Sequence, residues 1–196
     1  ALMMNRNLYG SLRVKQGVTG AGQPLRLLLN GTIQHGTQIF SPGFARTPTT
    51  YYARDSGIGL ALANCCANRP RNIGVVGLGA VTLAAYGKPG DRIRFYEINP
   101  HVLPIARNLF TYLRDSPARI TVVEGDARAS LSREAPQDFD VLVVDAFSGD
   151  AIPIHLLTTE ALTLYRRHLA PNGILAFHVS NQYLNLAPEV AQLAAA

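Results

Sequence analysis

One stretch constrains this chain more than any other: residues 71–100, RNIGVVGLGAVTLAAYGKPGDRIRFYEINP. An apolar run (73–76) enters a turn carrying Gly77 and Gly79. A short apolar run follows, then a second strand-like run (93–96) that ends on Glu97, twenty positions after Gly77. Strand, tight glycine turn, helix and a strand tipped with a carboxylate are the parts of a nucleotide-binding βαβ unit, the acid falling where a ribose diol would lie. Glycines let the backbone approach a ligand and present N–H groups at a helix start.

The rest of the chain extends that unit. Residues 119–124 (RITVVE) read as a third strand ended by Gly125 and Asp126, and 139–145 (FDVLVVD) as a fourth. The unbroken apolar run of the fourth signals burial on both faces, hence a parallel sheet. Residues 174–179 make a fifth strand. Helices are expected at 57 to about 68, after the glycine turn, at 100–113 with Asn99 as N-cap, at 127–133, at 159–169 and from 188. This alternation predicts an α/β, doubly wound Rossmann domain over residues 46–196, with the C-terminal edge of its sheet incomplete. Residues 1–45 differ in texture. Strand-like runs at 8–14, 25–29 and 32–40, with a turn at Asn30–Gly31, predict a small antiparallel β-hairpin region ahead of the main domain.

Composition narrows the class. With 196 residues, 47% hydrophobic and 16% charged, the chain fits a well-buried globular protein. No apolar run approaches the roughly 20 residues of a membrane span. No signal-peptide pattern opens the chain, so a cytoplasmic setting is expected. Ala1 is not an initiator methionine, and the chain is expected to be a piece of something longer. The net charge of +5 comes from scattered arginines (69/71, 92/94, 166/167), which read as solvated faces, with no nucleic-acid partner. The adjacent Cys65 and Cys66 read as small core residues in a reducing compartment. The five histidines lack ligand spacing, so no metal is expected.

In an open parallel sheet, ligands sit at the carboxyl ends of the strands. Those ends supply residues 77–80, Glu97, Asp126, Asp145 and, on the fifth strand, His178, Ser180 and Asn181. Glu97 can accept both ribose hydroxyls, or merely cap the next helix. Asp126 can accept from an adenine amine, or cap the helix behind it, or both. Asp145 opens a long loop, AFSGDAIP, where a carboxylate can hold an amine and take its proton; its plainer role is a turn residue. Asp150 can hold a cationic substrate or cap a turn. His155 and His178 read equally as packing residues or participants.

With these residues in view, the chain resembles the spermidine synthase (polyamine aminopropyltransferase) family, and most nearly its bacterial members fused to transporter-like membrane segments. Residues 27–38 (LLLNGTIQHGTQ) look like the family's hairpin segment. PTTYYARDSGIGLAL (48–62), VVGLGA (75–80), FYEINP (95–100), VEGDAR (123–128) and VVDAFSGDAIP (143–153) follow in family order. The resemblance implies a methyltransferase-like Rossmann fold behind a small β domain. It implies transfer of an aminopropyl group from decarboxylated S-adenosylmethionine to a small amine such as putrescine, with no metal. Gln34, Gly77, Gly79, Glu97 and Asp126 would hold the nucleoside, Asp145 would deprotonate the amine, and Tyr52 and Asp150 would contact the acceptor. It also implies a homo-oligomer, and fusion to a membrane segment outside this chain, which would make the chain the cytosolic domain of a membrane protein.

The chain departs from the family where Val81 replaces the third glycine of the turn. A β-branched residue there is expected to resist positive φ and crowd the ligand, lowering cofactor affinity. Asn30 stands for an aspartate, and acids that would grip a diamine are missing after Gln34 and at residues 51–53. Two alternatives stay open: a methyltransferase or other enzyme using S-adenosylmethionine, and a non-catalytic nucleoside-binding domain. An NAD enzyme fits least, since Thr82 stands where the dinucleotide fingerprint needs glycine.

Overall fold

The structure is a computed structural model, and it describes residues 1–66, 68–146, 153–178, 188 and 191–192. Two sheets organise it. Strands β1 (Met3–Asn7), β2 (Gly10–Val18), β3 (Pro24–Asn30) and β4 (Ile33–Ile39) form an antiparallel meander. Strands β5 (Asn72–Val76), β6 (Arg92–Glu97), β7 (Arg119–Glu124), β8 (Phe139–Val144) and β9 (Leu169–Phe177) form a parallel sheet in the order β7-β6-β5-β8-β9. The chain therefore has a Rossmann-like fold preceded by a four-stranded antiparallel sheet. Its first strand, β1, pairs with β2 from Met3↔Val14 to Asn7↔Gly10 and was not foreseen, because MMNRN alternates too weakly to read as a strand.

Side-chain alternation along the parallel strands builds two cores. Ile73, Val75, Ile93, Phe95, Val141 and Val143 face one side. There they meet α1 (Gly57–Asn64) and α2 (Val102–Leu109). Val76, Tyr96, Phe139, Leu142 and Val144 face the other, against α4 (Ala127–Arg133) and α5 (Thr159–Arg167). All six residues of β8 are buried, as its unbroken apolar run predicts. Gly74 makes room for this packing: a Cβ there would lie 2.7 Å from the Phe139 ring.

Several helices are shorter than the sequence pattern suggests. The helix expected to reach residue 68 stops at Asn64, where Cys65 turns extended and Cys66 takes φ of +56°. This geometry brings the sulfurs together, and Cys65 and Cys66 form a vicinal disulfide rather than two free core thiols. The helix expected over 100–113 breaks at Phe110 into α2 and α3 (Tyr112–Asp115). Asn99 is not its N-cap. That position is His101, whose N–H donates to Asn99 Oδ1 at 3.1 Å, while the same oxygen accepts from Asn7 Nδ2 at 2.8 Å and ties the two sheets together. The run after the glycine turn forms only a 3₁₀ segment, Thr82–Tyr86. Among the described residues no helix is long and apolar enough to cross a membrane.

Val81 overturns the expectation attached to it. It adopts the left-handed conformation, φ 62° and ψ 28°, and its side chain is buried in the core rather than in the ligand cavity. The valine therefore carries backbone strain, and its side chain does not line the cavity. Relieving that strain in Val81→Gly recovers about 1–2 kcal/mol. Losing the buried isopropyl group costs about 1.5–3 kcal/mol, and the freer unfolded chain about 0.5–1 more. We expect a net destabilisation of about 1–2 kcal/mol in urea unfolding, with nucleoside affinity unchanged.

Candidate active site

The carboxyl ends of β5, β6, β7 and β8 open into one cavity, and the glycine turn is its floor. Gly77 has φ of +102°, and a Cβ there would lie 2.2 Å from the Asp145 carbonyl oxygen. Gly79 has φ of +52°, and its Cβ would lie 2.6 Å from the His35 carbonyl. Both glycines thus admit neighbouring backbone that any side chain would displace. Ala80 N–H donates to His35 O at 3.2 Å, docking the antiparallel sheet onto the turn.

Glu97 lines the cavity and is held by two backbone donors. Leu78 N–H reaches Oε2 at 2.9 Å and Asn99 N–H reaches Oε1 at 2.8 Å. Ile98 N–H also favours the charged form, and the four acceptor positions of a carboxylate leave capacity toward the cavity. Burial raises the Glu97 pKa, and the backbone N–H bonds oppose that rise. Asp126, also in the wall, caps α4 through Oδ1, which accepts from Ala129 N–H at 2.7 Å. Its Oδ2 meets His155 Nε2 at 2.9 Å, so the capping and wall positions coexist.

Asp145 stands at the end of β8 with its carboxyl almost fully buried at the cavity edge. Tyr52, 4% exposed and in the same wall, donates its hydroxyl to Asp145 Oδ2. His178, following β9, bonds Oδ1 through Nδ1 at 2.6 Å. Tyr51 stacks on the His178 ring with centroids 3.9 Å apart. Burial pushes the Asp145 carboxyl above the usual carboxylate range, and the bond and charge of His178 pull it back only in part. A buried, raised carboxylate fixed by two neighbours is suited to accept a proton.

Of the residues singled out from sequence, Gly77, Gly79, Glu97, Asp126, Asp145 and Tyr52 share this cavity. Gln34 does not line it; its amide donates to Thr37 Oγ1 at 2.7 Å. The wall of β4 is its neighbour His35. Leu28 pairs with Gly36 and Leu29 with Gln34, so His35 is the extra residue of a bulge that turns its side chain inward. Asp150, Ser180 and Asn181 lie outside the described residues. His178 was legible only as a residue at a strand end. Its partnership with Asp145 depends on β9 lying beside β8, where His178 N–H donates to Val144 O at 3.0 Å.

Known proteins share part of this sequence and its fold. No family model matches the chain. It is 32% identical over 112 residues to a polyamine aminopropyltransferase of Vibrio vulnificus, a span that is 55% of this chain and 37% of that protein. The chain is similar to polyamine aminopropyltransferases. It is also 35% identical over 109 residues to an N-terminal histidine N-methyltransferase of Emericella nidulans, covering 53% of this chain and 19% of that one. Among solved structures, a probable spermidine synthase from Corynebacterium glutamicum superposes with a TM-score of 0.71 at 22% identity, over 89% of this chain and 62% of that one. Human methyltransferase-like protein 13 in complex with SAH gives 0.55 at 24% identity, over 69% and 67%. The chain thus spans well under half the length of these curated relatives.

Proposed function

We propose that this chain transfers an aminopropyl group from decarboxylated S-adenosylmethionine to a small amine. The observation that carries the reading is Asp145, a buried carboxylate with raised pKa fixed by Tyr52 and His178 in the cavity that Glu97 and Asp126 also line. Glu97 takes the ribose hydroxyls, Asp126 the adenine side, and the Gly77–Gly79 backbone gives the nucleoside close approach. The sulfonium of the co-substrate makes its neighbouring methylene electrophilic. The amine nitrogen attacks that carbon, the C–S bond breaks, and its electron pair neutralises the sulfonium as methylthioadenosine leaves. Asp145 removes the proton the nitrogen can no longer hold. The step needs alignment and a base more than charge stabilisation, which suits a dry carboxylate aimed at one point.

Similarity to a histidine N-methyltransferase and to a methyltransferase bound to SAH favours a second reading, methyl transfer from S-adenosylmethionine in the same cavity. Calorimetry with methylthioadenosine, S-adenosylmethionine and its decarboxylated form separates the cases. Binding of methylthioadenosine and the decarboxylated compound, followed by an acceptor gaining an aminopropyl group by mass spectrometry, is the expected result. An acceptor gaining a methyl group favours the second reading, and binding of none of the three overturns both.

A further inference from the structure

The charge of this chain is unevenly placed. Residues 1–54 hold six of its 18 lysines and arginines and none of its 13 aspartates and glutamates. The antiparallel sheet and its connector thus carry a formal +6, and the rest of the chain −1. Strand alternation gives this sheet two faces. One is turned to the Rossmann domain: Leu12, Val14 and Leu28 enter the shared core, and Asn5 and Asn7 bond His101 and Asn99. The opposite face carries Met4 and Arg6 of β1, then Arg13 and Lys15 of β2, then the β3 leucines at 25, 27 and 29. Register sets Arg13 between Met4 and Leu29, and Lys15 beside Leu27.

Apolar side chains therefore flank a basic column. Met4 is 70% exposed, and Leu8, in the β1–β2 turn, 99%. The three leucines are half-buried and belong to neither core cluster. Arg6 and Lys15 are exposed, and neither they nor Arg13 form an ion pair among the described residues. This pattern selects among occupants. A second copy meeting the face across a two-fold axis would set like charges together, with no acid in residues 1–54 to offset them. A protein partner would bury Lys15 near the centre of the contact, where interfaces are depleted in lysine. A nucleic acid would leave the leucines unmatched, and no outward position of β1 to β3 holds an aromatic ring for base stacking. An anionic bilayer meets both kinds of side chain. Its fluid headgroups gather around cations while apolar groups enter the acyl boundary.

We propose that the outward face of β1 to β3 docks on an anionic phospholipid surface. Arg6, Arg13 and Lys15 lie among the headgroups, and Met4, Leu27 and Leu29 at the acyl boundary. The core face of the same sheet is the one packed on the Rossmann domain, so the contact does not involve the cavity residues and does not depend on the reaction proposed above.

The test is co-sedimentation of the full chain with vesicles of phosphatidylcholine, alone or with about one third phosphatidylserine. Binding is expected to be at least about tenfold tighter on the anionic vesicles. It should weaken by a similar factor in about 1 M salt, where the Debye length falls to about 3 Å. Lys15→Gln should weaken it about fivefold, the share of one cation near a charged surface. Leu27→Gln, which keeps the charge, should weaken it about tenfold. Circular dichroism checks that both variants fold, and Met4→Gln, at a more exposed position, repeats the apolar test if Leu27→Gln does not. Equal binding to neutral vesicles, or binding to neither, overturns the inference. So does anionic binding that Leu27→Gln and Met4→Gln leave unchanged, the mark of a polyanion attraction that single-stranded RNA would also satisfy. Self-association in the ultracentrifuge that Leu27→Gln abolishes assigns the face to a second copy and overturns it as well.

Discussion

Asp145→Asn is expected to abolish transfer while leaving the fold and nucleoside binding intact. A positioned general base contributes about 10²–10⁴ in rate, and kcat should fall by that much. Methylthioadenosine affinity should stay within about threefold, because a group used only as the bond forms adds little to ground-state binding. The substitution can be accommodated locally. The Asn carbonyl accepts from the Tyr52 hydroxyl, and its amide donates to His178 Nδ1 once the imidazole carries its proton on Nε2. Stability has a definite sign. The folded-state pKa of Asp145 is raised, so its stabilising protonated form is complete below the ordinary aspartate value and lost as pH rises through the folded value. Above the folded-state pKa the ionised side chain works against the fold, and there Asp145→Asn should melt at or above the wild-type temperature. For the same reason the acid limb of kcat/KM in the wild type should lie above the ordinary carboxylate range. An unchanged rate, or a collapse of methylthioadenosine binding along with the rate, would remove Asp145 from the proposed role.

The parts of the site that were legible in sequence are those that depend on local order. A strand that ends on an acid places that acid at the carboxyl edge of a parallel sheet, wherever the strand lies in it. Hence Glu97, Asp126 and Asp145 could be placed at one edge before any coordinates. Residues set by long-range register could not. His35 faces the cavity because β4 bulges against β3, and no periodicity within residues 33–39 marks that extra residue. His178 joins Asp145 only because β9 returns beside β8. Val81 was misjudged because its type was legible and its direction was not. The left-handed backbone that a valine resists also turns its side chain into the core. The vicinal disulfide escaped for a related reason, since a helical reading of residues 57–68 keeps the two sulfurs apart, whereas the observed turn joins them.

Arg71 shows the same limit at the opposite edge of the sheet, and it carries the largest expected stability effect. Scattered arginines read as solvated faces, yet Arg71 is 2% exposed and pairs with Asp91, 1% exposed, at 2.5 Å. The two residues precede β5 and β6, so the pair locks the strand starts together, away from the cavity. It is fully bonded. Arg71 also donates to Leu62 O at 2.5 Å and Tyr86 O at 2.6 Å, and Asp91 accepts from the backbone N–H groups of Arg71 at 2.8 Å and Lys88 at 2.9 Å. Breaking a buried pair leaves an uncompensated charge, so Asp91→Asn should cost about 3–5 kcal/mol and lower Tm by about 10 °C. Methylthioadenosine affinity measured below that temperature should be unchanged, because no cavity residue moves. The pH dependence follows from the carboxyl itself. Burial raises the Asp91 pKa, but the bonds from Arg71 and the two backbone donors outweigh it, and the net value is depressed. Its contribution is therefore present above the ordinary aspartate value, about 3.9, and lost as pH falls through the folded one. The Tm gap between Asp91→Asn and the wild type should be widest near neutrality and narrow in acid. A gap that stays constant down to acid unfolding would show that the charge of Asp91 is not what the strand starts depend on.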